Sequence, residues 1–254
     1  MDDAPAALLD DGHLWLEEHV LGARLRFRVT DRGLVFGDAD GDFEPWAEPL
    51  GVRAAVDRVR ERFDTAGLSA EVDSPEGYVF IGVATRNEGI DYAWNRLPAF
   101  LGTDVRAPDG DLVAVDTAVA AFDRLGLDAR NSIEREVPAR DFHPDRHTVP
   151  DSAWYDGPAA GTVVRRKDGP RALLRGASGT SPSDRSDAAA FVDRYATPDA
   201  IEAVADSLGN APSVDATVDR LLSRLVRRRY HELSSVDGDA LRAAATEPVA
   251  RHLG

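Results

Sequence analysis

Clustered arginines are the residues of this sequence best suited to chemistry, because guanidinium groups bind phosphate through paired hydrogen bonds. One cluster lies in the stretch GTVVRRKDGPRALLR and consists of Arg165, Arg166, Lys167, Arg171 and Arg175. A second lies nearer the carboxyl end and consists of Arg220, Arg224, Arg227, Arg228 and Arg229. These clusters indicate either a surface that follows an RNA backbone, with Tyr230 able to stack on a base, or pairing with acidic side chains of the protein itself.

Two polar motifs contain possible metal ligands, but their spacing argues against a metal. In DFHPDRH, Pro144 separates His143 from His147, which argues against both histidines lying on one helix face. The stretch DADGDFE, residues 38–44, suggests a calcium loop, but its glycine and glutamate are out of register. We therefore expect a polar loop and a hairpin turn, and no metal site. The sequence also lacks a glycine-rich phosphate loop with a lysine.

The charge balance is strongly acidic, with 45 acidic and 30 basic residues and a net charge of −15. Lys167 is the only lysine. Acidic, lysine-poor surfaces suit a cytoplasm full of salt, so we expect a halophilic, cytoplasmic protein. Molar salt shortens the Debye length to about 3 Å, so the net charge does not exclude RNA as a partner. No apolar run reaches the roughly 18 residues that a bilayer requires, and the lack of cysteine excludes disulfides and thiolate sites.

Short alternating segments predict a series of strands. The predicted strands are residues 13–17, 23–30, 33–37, 77–85 and 100–106. The stretch EEHVLGARLRF, residues 17–27, predicts a hairpin in which a tight glycine turn joins the first two strands. One face of the second strand is expected to be basic, because apolar residues there alternate with Arg24, Arg26 and Arg28.

A second hairpin and two helices complete the predicted body. Residues 161–175 predict two strands with a turn at residues 167–169. Apolar residues at helical spacing predict a helix over 52–63 that is closed by Gly67, and another around 119–125.

The pattern changes in the last third of the chain. Residues 176–187 are small, polar and typical of a linker or a long loop. Three helices are predicted beyond it: one from a Thr197 cap to Gly209, one over 214–225, and one from about Asp239.

These elements predict an α+β fold with two domains. The first, residues 1–178, is expected to be mostly antiparallel, and the second, residues 188–254, is expected to be small and all-helical.

Four stretches stand in the order of RNA ligase motifs: HLWLEEHVLGARLRF, FIGVATRNEGIDYAWNRLPAFLGTDV, VPDSAWYDGPAAGTVVRR and RALLR. Over residues 12–175 the sequence resembles the RNA ligase family of ATP-dependent nucleotidyltransferases, which share a fold with DNA ligases and mRNA capping enzymes. The resemblance implies that a lysine attacks the α-phosphate of ATP, that AMP moves to an RNA 5′-phosphate, and that a 3′-hydroxyl displaces it. Such chemistry needs an unprotonated amine, carboxylates around a divalent metal, and basic groups for the phosphates.

The resemblance also implies that nearly every group acting on ATP is replaced. The family's catalytic lysine, the aspartate of the same motif, two glutamates and a last lysine align, in that order, with His19, Leu21, Val83, Ala160 and Leu173. Gly22 is kept, and Arg24 stands where relatives contact the ribose. Lys167 cannot supply the missing amine, because a lysine in an exposed turn stays protonated, and arginine cannot replace it as a nucleophile.

The leading hypothesis is therefore a non-catalytic relative of RNA ligases that binds RNA or a nucleotide. The candidate binding residues are Gly22, Arg24, Arg165, Arg166, Lys167, Arg171, Arg227, Arg228 and Arg229. No cofactor is expected, and ATP and Mg²⁺ enter only if activity persists. One alternative is a working ligase in which the His19 imidazole forms the bond to AMP. The other is a structural partner of an active ligase paralogue.

Overall fold

The computed structural model describes residues 8–167, 169–180 and 185–254. Within them the chain is an α+β protein with eight strands and seven α-helices. The strands are β1 (His13–Glu18), β2 (Gly22–Thr30), β3 (Gly33–Gly37), β4 (Val79–Thr85), β5 (Phe100–Arg106), β6 (Ser132–Pro138), β7 (Gly161–Arg166) and β8 (Arg171–Arg175). The helices are α1 (Leu50–Arg62), α2 (Thr65–Glu71), α3 (Val115–Arg124), α4 (Ala188–Tyr195), α5 (Pro198–Leu208), α6 (Val214–Arg229) and α7 (Gly238–Leu253).

Two parts of the sequence interpretation fall outside the described residues: Asp168 in the predicted turn and residues 181–184 in the predicted linker. The predicted hairpin around that turn is confirmed, because β7 and β8 pair antiparallel. None of the described helices is long and apolar enough to cross a membrane.

The strands form two antiparallel four-stranded sheets. The first sheet has the order β6-β1-β7-β8, and the second has the order β3-β2-β4-β5. The predicted hairpin between β1 and β2 is therefore wrong, because these strands lie in different sheets. Gly22 is needed where the chain enters the second sheet: a Cβ there would collide with the backbone carbonyl of Ala84. The glycine thus permits a close crossing of two backbones and does not form a hairpin turn.

One face of the second sheet carries the main hydrophobic core. Phe27 of β2 stacks on Phe80 of β4 with ring centroids 5.1 Å apart, and α1 and α3 pack on this face. Helix α1 ends at Arg62, so the prediction that Gly67 closes it is wrong. The chain turns extended at Phe63, and Gly67 lies in α2, where its N–H donates to the Asp64 carboxylate at 2.8 Å.

Helices α4 to α7 share a second core and form a layer against α1. The predicted start and end of α5 are confirmed: the Thr197 hydroxyl accepts from Ala200 N–H, and Gly209 follows the last residue with φ 89°. Asn87, which is 1% exposed, ties this layer to the end of β4. Its side-chain amide donates to the Arg228 carbonyl at 3.0 Å, and its backbone carbonyl accepts from His231 N–H at 2.9 Å. The division into two domains stays a prediction.

Candidate functional site

A cleft of about 440 Å³ opens between the two sheets. The crossing from β1 to β2 supplies His19 at its wall, and β8 supplies Arg171 on the side of the first sheet. The arginines that line the cleft are Arg24, Arg106, Arg130 and Arg171. Asp104 is the only carboxylate that lines it within the described residues. The lining is therefore strongly basic, although the protein as a whole is acidic.

Asp104 is the centre of a buried network below the cleft. Its side chain is 4% exposed and accepts from Arg165 at 2.7 Å and from both terminal nitrogens of Arg171 at 2.8 and 3.0 Å. The Thr103 hydroxyl donates to the same carboxylate at 2.9 Å. Burial alone would raise the pKa of Asp104, but the bonds from Arg171 and the charge of Arg165 outweigh it and hold the pKa at about 2.

Glu17 is the second buried anion of this network, with 1% of its side chain exposed. Arg130 approaches it at 3.2 Å and Arg165 at 3.7 Å. Three guanidinium groups thus share two carboxylates and leave one net positive charge at the floor of the cleft. Arg24 and Arg106, at the surface of the cleft, add to that charge. The arrangement attracts an anion with several oxygens, such as a phosphate.

His19 and Val83 occupy two of the aligned catalytic positions, and both line the cleft. Burial lowers the pKa of His19 to about 4, and the charges of Arg130 and Arg175 act in the same direction. The imidazole is therefore neutral at neutral pH. Val83 lies opposite Arg24 in the β2–β4 pairing and offers only methyl groups.

Leu21 and Ala160 occupy two further aligned positions, and they lie in a cluster of apolar and aromatic side chains behind the cleft. Ala160 is 5% exposed. The Tyr92 hydroxyl accepts from Leu21 N–H at 3.2 Å, and the Tyr92 ring meets the edge of Tyr155 with centroids 5.4 Å apart. Burial raises the pKa of Tyr92. Rings and aliphatic groups therefore surround the two positions at which the resemblance implies carboxylates, and that correspondence stays a prediction. The last aligned position, Leu173, pairs with Val163 in the β7–β8 hairpin.

The residues present do not fit a catalytic metal ion. Glu18, which is 1% exposed, accepts from Ser152 at 2.5 Å and from Asn131 at 3.1 Å. Glu17 and Asp104 are likewise committed to arginines. Nowhere in the described ranges do three acidic or histidine side chains form a group that could hold a metal.

Side chains of the two polar motifs with possible metal ligands contact other groups of the protein. His147 Nε2 lies 2.9 Å from the Thr162 hydroxyl. Asp42 pairs with Arg26 at 2.8 Å and with Arg28 at 2.9 Å, both on the basic face of β2. In the turn itself, the Asp38 carboxylate accepts from Asp40 N–H at 2.9 Å. The second motif is thus a turn closed by its own side chains.

Of the binding residues predicted from the sequence, the structure brings Gly22, Arg24 and Arg171 to the cleft and places Arg165 beneath it. Arg166 does not line the cleft. Lys167 lies beyond it, where its amine contacts Glu136 at 2.7 Å and Asp116 at 3.5 Å. The hydrogen bond to Glu136 raises the pKa of Lys167, so the amine stays protonated.

The candidates at the end of α6, Arg227, Arg228 and Arg229, do not line the cleft, and their side chains have different surroundings. Arg227 turns inward and donates to the Leu97 carbonyl at 2.6 Å and to the Thr85 hydroxyl at 2.9 Å. Arg228 is exposed, and Arg229 pairs with Glu232 at 3.3 Å. Their contact with RNA stays a prediction.

Arg106 and Arg130 line the cleft but were not predicted as site residues from the sequence. The feature that could have identified Arg106 is its position at the end of the predicted strand FLGTDVR. Arg130 lies just before β6, a strand the interpretation does not predict.

Comparisons with known proteins bear on the fold of this chain. No protein-family model matches the chain, and no curated protein is similar to it in sequence. Among solved structures, an archaeal ATP-dependent RNA ligase (form 2) superposes with a TM-score of 0.50 and 15% identity, over 97% of this chain and 61% of that one. The Naegleria gruberi RNA ligase with PPi gives a TM-score of 0.50 and 10% identity, over 77% of this chain and 57% of that one.

A third neighbour is a Naegleria gruberi RNA ligase mutant with ATP and Mn, with a TM-score of 0.50, 10% identity, and coverage of 66% of this chain and 51% of that one. This chain thus spans between half and two thirds of the length of these ligases. At such identities the likeness concerns the fold alone. The chain has the nucleotidyltransferase fold of ATP-dependent RNA ligases.

Proposed function

We propose that this protein binds the phosphorylated end of an RNA in the cleft between its two sheets and does not carry out ATP-dependent adenylylation. The observation that carries the proposal is the lining of the cleft: four arginines face a single carboxylate, Asp104, which is already paired with two guanidinium groups. A terminal phosphate supplies the dianion that such a lining favours.

The buried carboxylates make the cleft a prepared site. Glu17 holds Arg130, and Asp104 holds Arg171, so both guanidinium groups keep fixed orientations at the floor. Binding therefore loses little side-chain entropy, which favours affinity. Arg24 is exposed at the edge and is free to meet the first phosphates of the RNA chain.

The side chains around the cleft also support the loss of the first chemical step. Formation of a lysine–AMP bond needs an unprotonated amine at the cleft. The only lysine, Lys167, lies outside it and has a raised pKa. The acids that would hold a metal are replaced or paired with arginines.

Binding of a short RNA with a 5′-phosphate, compared with the same RNA bearing a 5′-hydroxyl, tests the proposal. Filter binding in molar KCl and in dilute buffer should show roughly tenfold tighter binding of the phosphorylated RNA, since one charged hydrogen-bonded contact contributes about 1.5–3 kcal/mol. Arg24→Ala should reduce that preference. Arg28→Ala is the matched control, because Arg28 lies on the same face of β2 but is paired with Asp42. Equal binding of the two RNAs would count against the proposal.

A ligase of altered mechanism is the second candidate, and the neutral state of His19 favours it. An unprotonated ring nitrogen could form a bond to the α-phosphorus of ATP while the bond to the pyrophosphate oxygen breaks. Pyrophosphate would leave with that electron pair, and the proton on the other ring nitrogen would pass to solvent. Incubation with α-labelled ATP and MgCl₂, followed by denaturing electrophoresis, separates the candidates. An acid-labile band that is lost in His19→Ala would overturn the non-catalytic proposal.

A further inference from the structure

Trp46, in the connection between β3 and α1, is exposed in an unusual way. Its side chain is 76% exposed, and it is the only large hydrophobic side chain in the described residues with that degree of exposure. Its φ is 66°, a value that non-glycine residues rarely adopt because it is strained. The chain thus holds a large aromatic ring in solvent at a conformational cost, which points to a use outside the fold.

The ring is braced on one face only. The Arg60 guanidinium lies 4.1 Å from the indole centroid and 5.1 Å from the ring of Phe36. Arg60 is itself held by Glu48 at 2.5 Å, and Glu48 is 4% exposed. The indole is therefore a fixed platform with its second face open to solvent.

A cavity of about 430 Å³ adjoins this platform. Its apolar lining includes Leu50 of α1 and Leu222 of α6. Four carboxylates and two arginines also line it. The carboxylates are Glu48, Asp219, Asp237 and Asp239, and the arginines are Arg53 and Arg242. Glu48 is paired with Arg60, and Asp219 is paired with Arg53 and Arg242. Asp237 and Asp239 are therefore the carboxylates of this lining that have no arginine partner among the described residues.

We infer that this surface docks a basic segment of a partner protein, with an arginine side chain stacked on the open face of Trp46. A guanidinium on an indole is a favourable cation–π pair, and Arg60 already makes one on the other face. From there a second guanidinium can reach toward Asp239, at the start of α7. Stacking of an RNA base is disfavoured, because the attached phosphates would meet the carboxylates.

Titration with N-acetyl-arginine methylamide tests this inference on the full-length, ¹⁵N-labelled protein. The indole N–H signal of Trp46, assigned from its loss in Trp46→Phe, should shift while the other three tryptophan signals stay in place. The neutral citrulline analogue has nearly the same shape and serves as the control. It should bind at least roughly fivefold more weakly, because it lacks the cation.

Asp239→Asn should weaken binding of the arginine derivative. Unchanged signals of the other tryptophans check that this variant is folded. Equal binding of arginine and citrulline, no shift at all, or a shift caused by uridine monophosphate would overturn the inference. Sedimentation covers the remaining occupant: dimerisation of the wild type that Trp46→Ala abolishes would assign the surface to a second copy of this chain and overturn the partner assignment.

Discussion

The cleft and the aromatic cluster behind it are neighbours in the structure, but their side chains differ in chemistry. The cleft holds His19 and Val83 among arginines, whereas the cluster holds Leu21 and Ala160 among aromatic rings. The cleft can still receive an anion, because its charges are oriented and in excess. The cluster is built mainly of apolar and aromatic groups, and Arg227 lies over its Trp94 ring. The two neighbouring regions thus differ in what stabilises them: ion pairs in the cleft and apolar packing in the cluster.

The comparison also separates the two sources of stability. The polar region depends on matched charges, so removal of one partner leaves another buried without compensation. The apolar region depends on packing, so an added group should reduce its stability more than the loss of a distant charge.

Asp104→Ala should have the largest effect and would break the polar region. It leaves Arg165, with 1% of its side chain exposed, without its closest anion. Removal of one partner from a buried pair costs about 3–5 kcal/mol, measured as the change in free energy of unfolding by urea. Asp42→Ala is the control, since its pairs with Arg26 and Arg28 are partly exposed and contribute about 0–1 kcal/mol. Similar losses in both variants would contradict the network.

Introducing glutamate at two positions where the resemblance implies one should sharpen the contrast. Ala160→Glu forces a carboxylate among buried rings and should cost about 3 kcal/mol. Val83→Glu places the same group beside arginines in an open cleft and should cost less than about 1 kcal/mol. Urea unfolding of both variants gives the comparison. If Ala160→Glu were the better tolerated, the cluster would not be the packed region described above.

Arg227→Ala should have an intermediate effect on the cluster. Arg227 lies over the Trp94 ring at 5.1 Å and satisfies the Leu97 carbonyl. Its removal should cost about 2 kcal/mol through unsatisfied polar groups. The neighbouring exposed residue gives the control, because Arg228→Ala should stay within about 0.5 kcal/mol. Thermal unfolding distinguishes the two, and equal changes would show that Arg227 is not a structural residue.

The smallest effect on stability at neutral pH is expected from protonation of His19 and Asp104, which line the cleft. The pKa of His19 is about 4 in the folded state, against a usual 6.5, so the unfolded chain binds more protons between these values. Stability should therefore fall as the pH drops from 6.5 to about 4. Asp104, with a pKa of about 2 against 3.8, should add a further loss below about pH 4.

Urea midpoints between pH 8 and 3 measure both steps, and ¹⁵N NMR of the imidazole gives the His19 midpoint directly. His19→Gln should reduce the first step and leave the second; His147 also contributes to the first step, because burial lowers its pKa as well. A midpoint of His19 near 6.5 would show that its ring is not shielded from solvent.

Local patterns predicted much of the fold. The strand at Gly33–Gly37, the strand at Phe100–Arg106 and the start of α5 follow from alternation and capping within a few residues of chain. The failures need distant contacts. The β1–β2 connection reads as a hairpin locally, but the partners of β1 are more than a hundred residues away, in β6 and β7.

The site was predictable in part for the same reason. Arg24 was predictable because the alternation within one strand is enough to identify the basic face of that strand. Arg165 stood out as basic, but its burial depends on Asp104, which lies 61 residues away in sequence. The strand β6, SIEREVP, shows three exposed charged residues in its middle and gives no apolar alternation to detect it.

The ties made by Asn87 have a consequence for motion. The end of β4 is fastened to the last turn of α6, so we expect the second sheet, α1 and the helical layer to move together. Arg171 of β8 donates to Asp104 of β5 at 2.8 and 3.0 Å, so any widening of the space that admits an RNA end is expected to break these bonds between the two sheets.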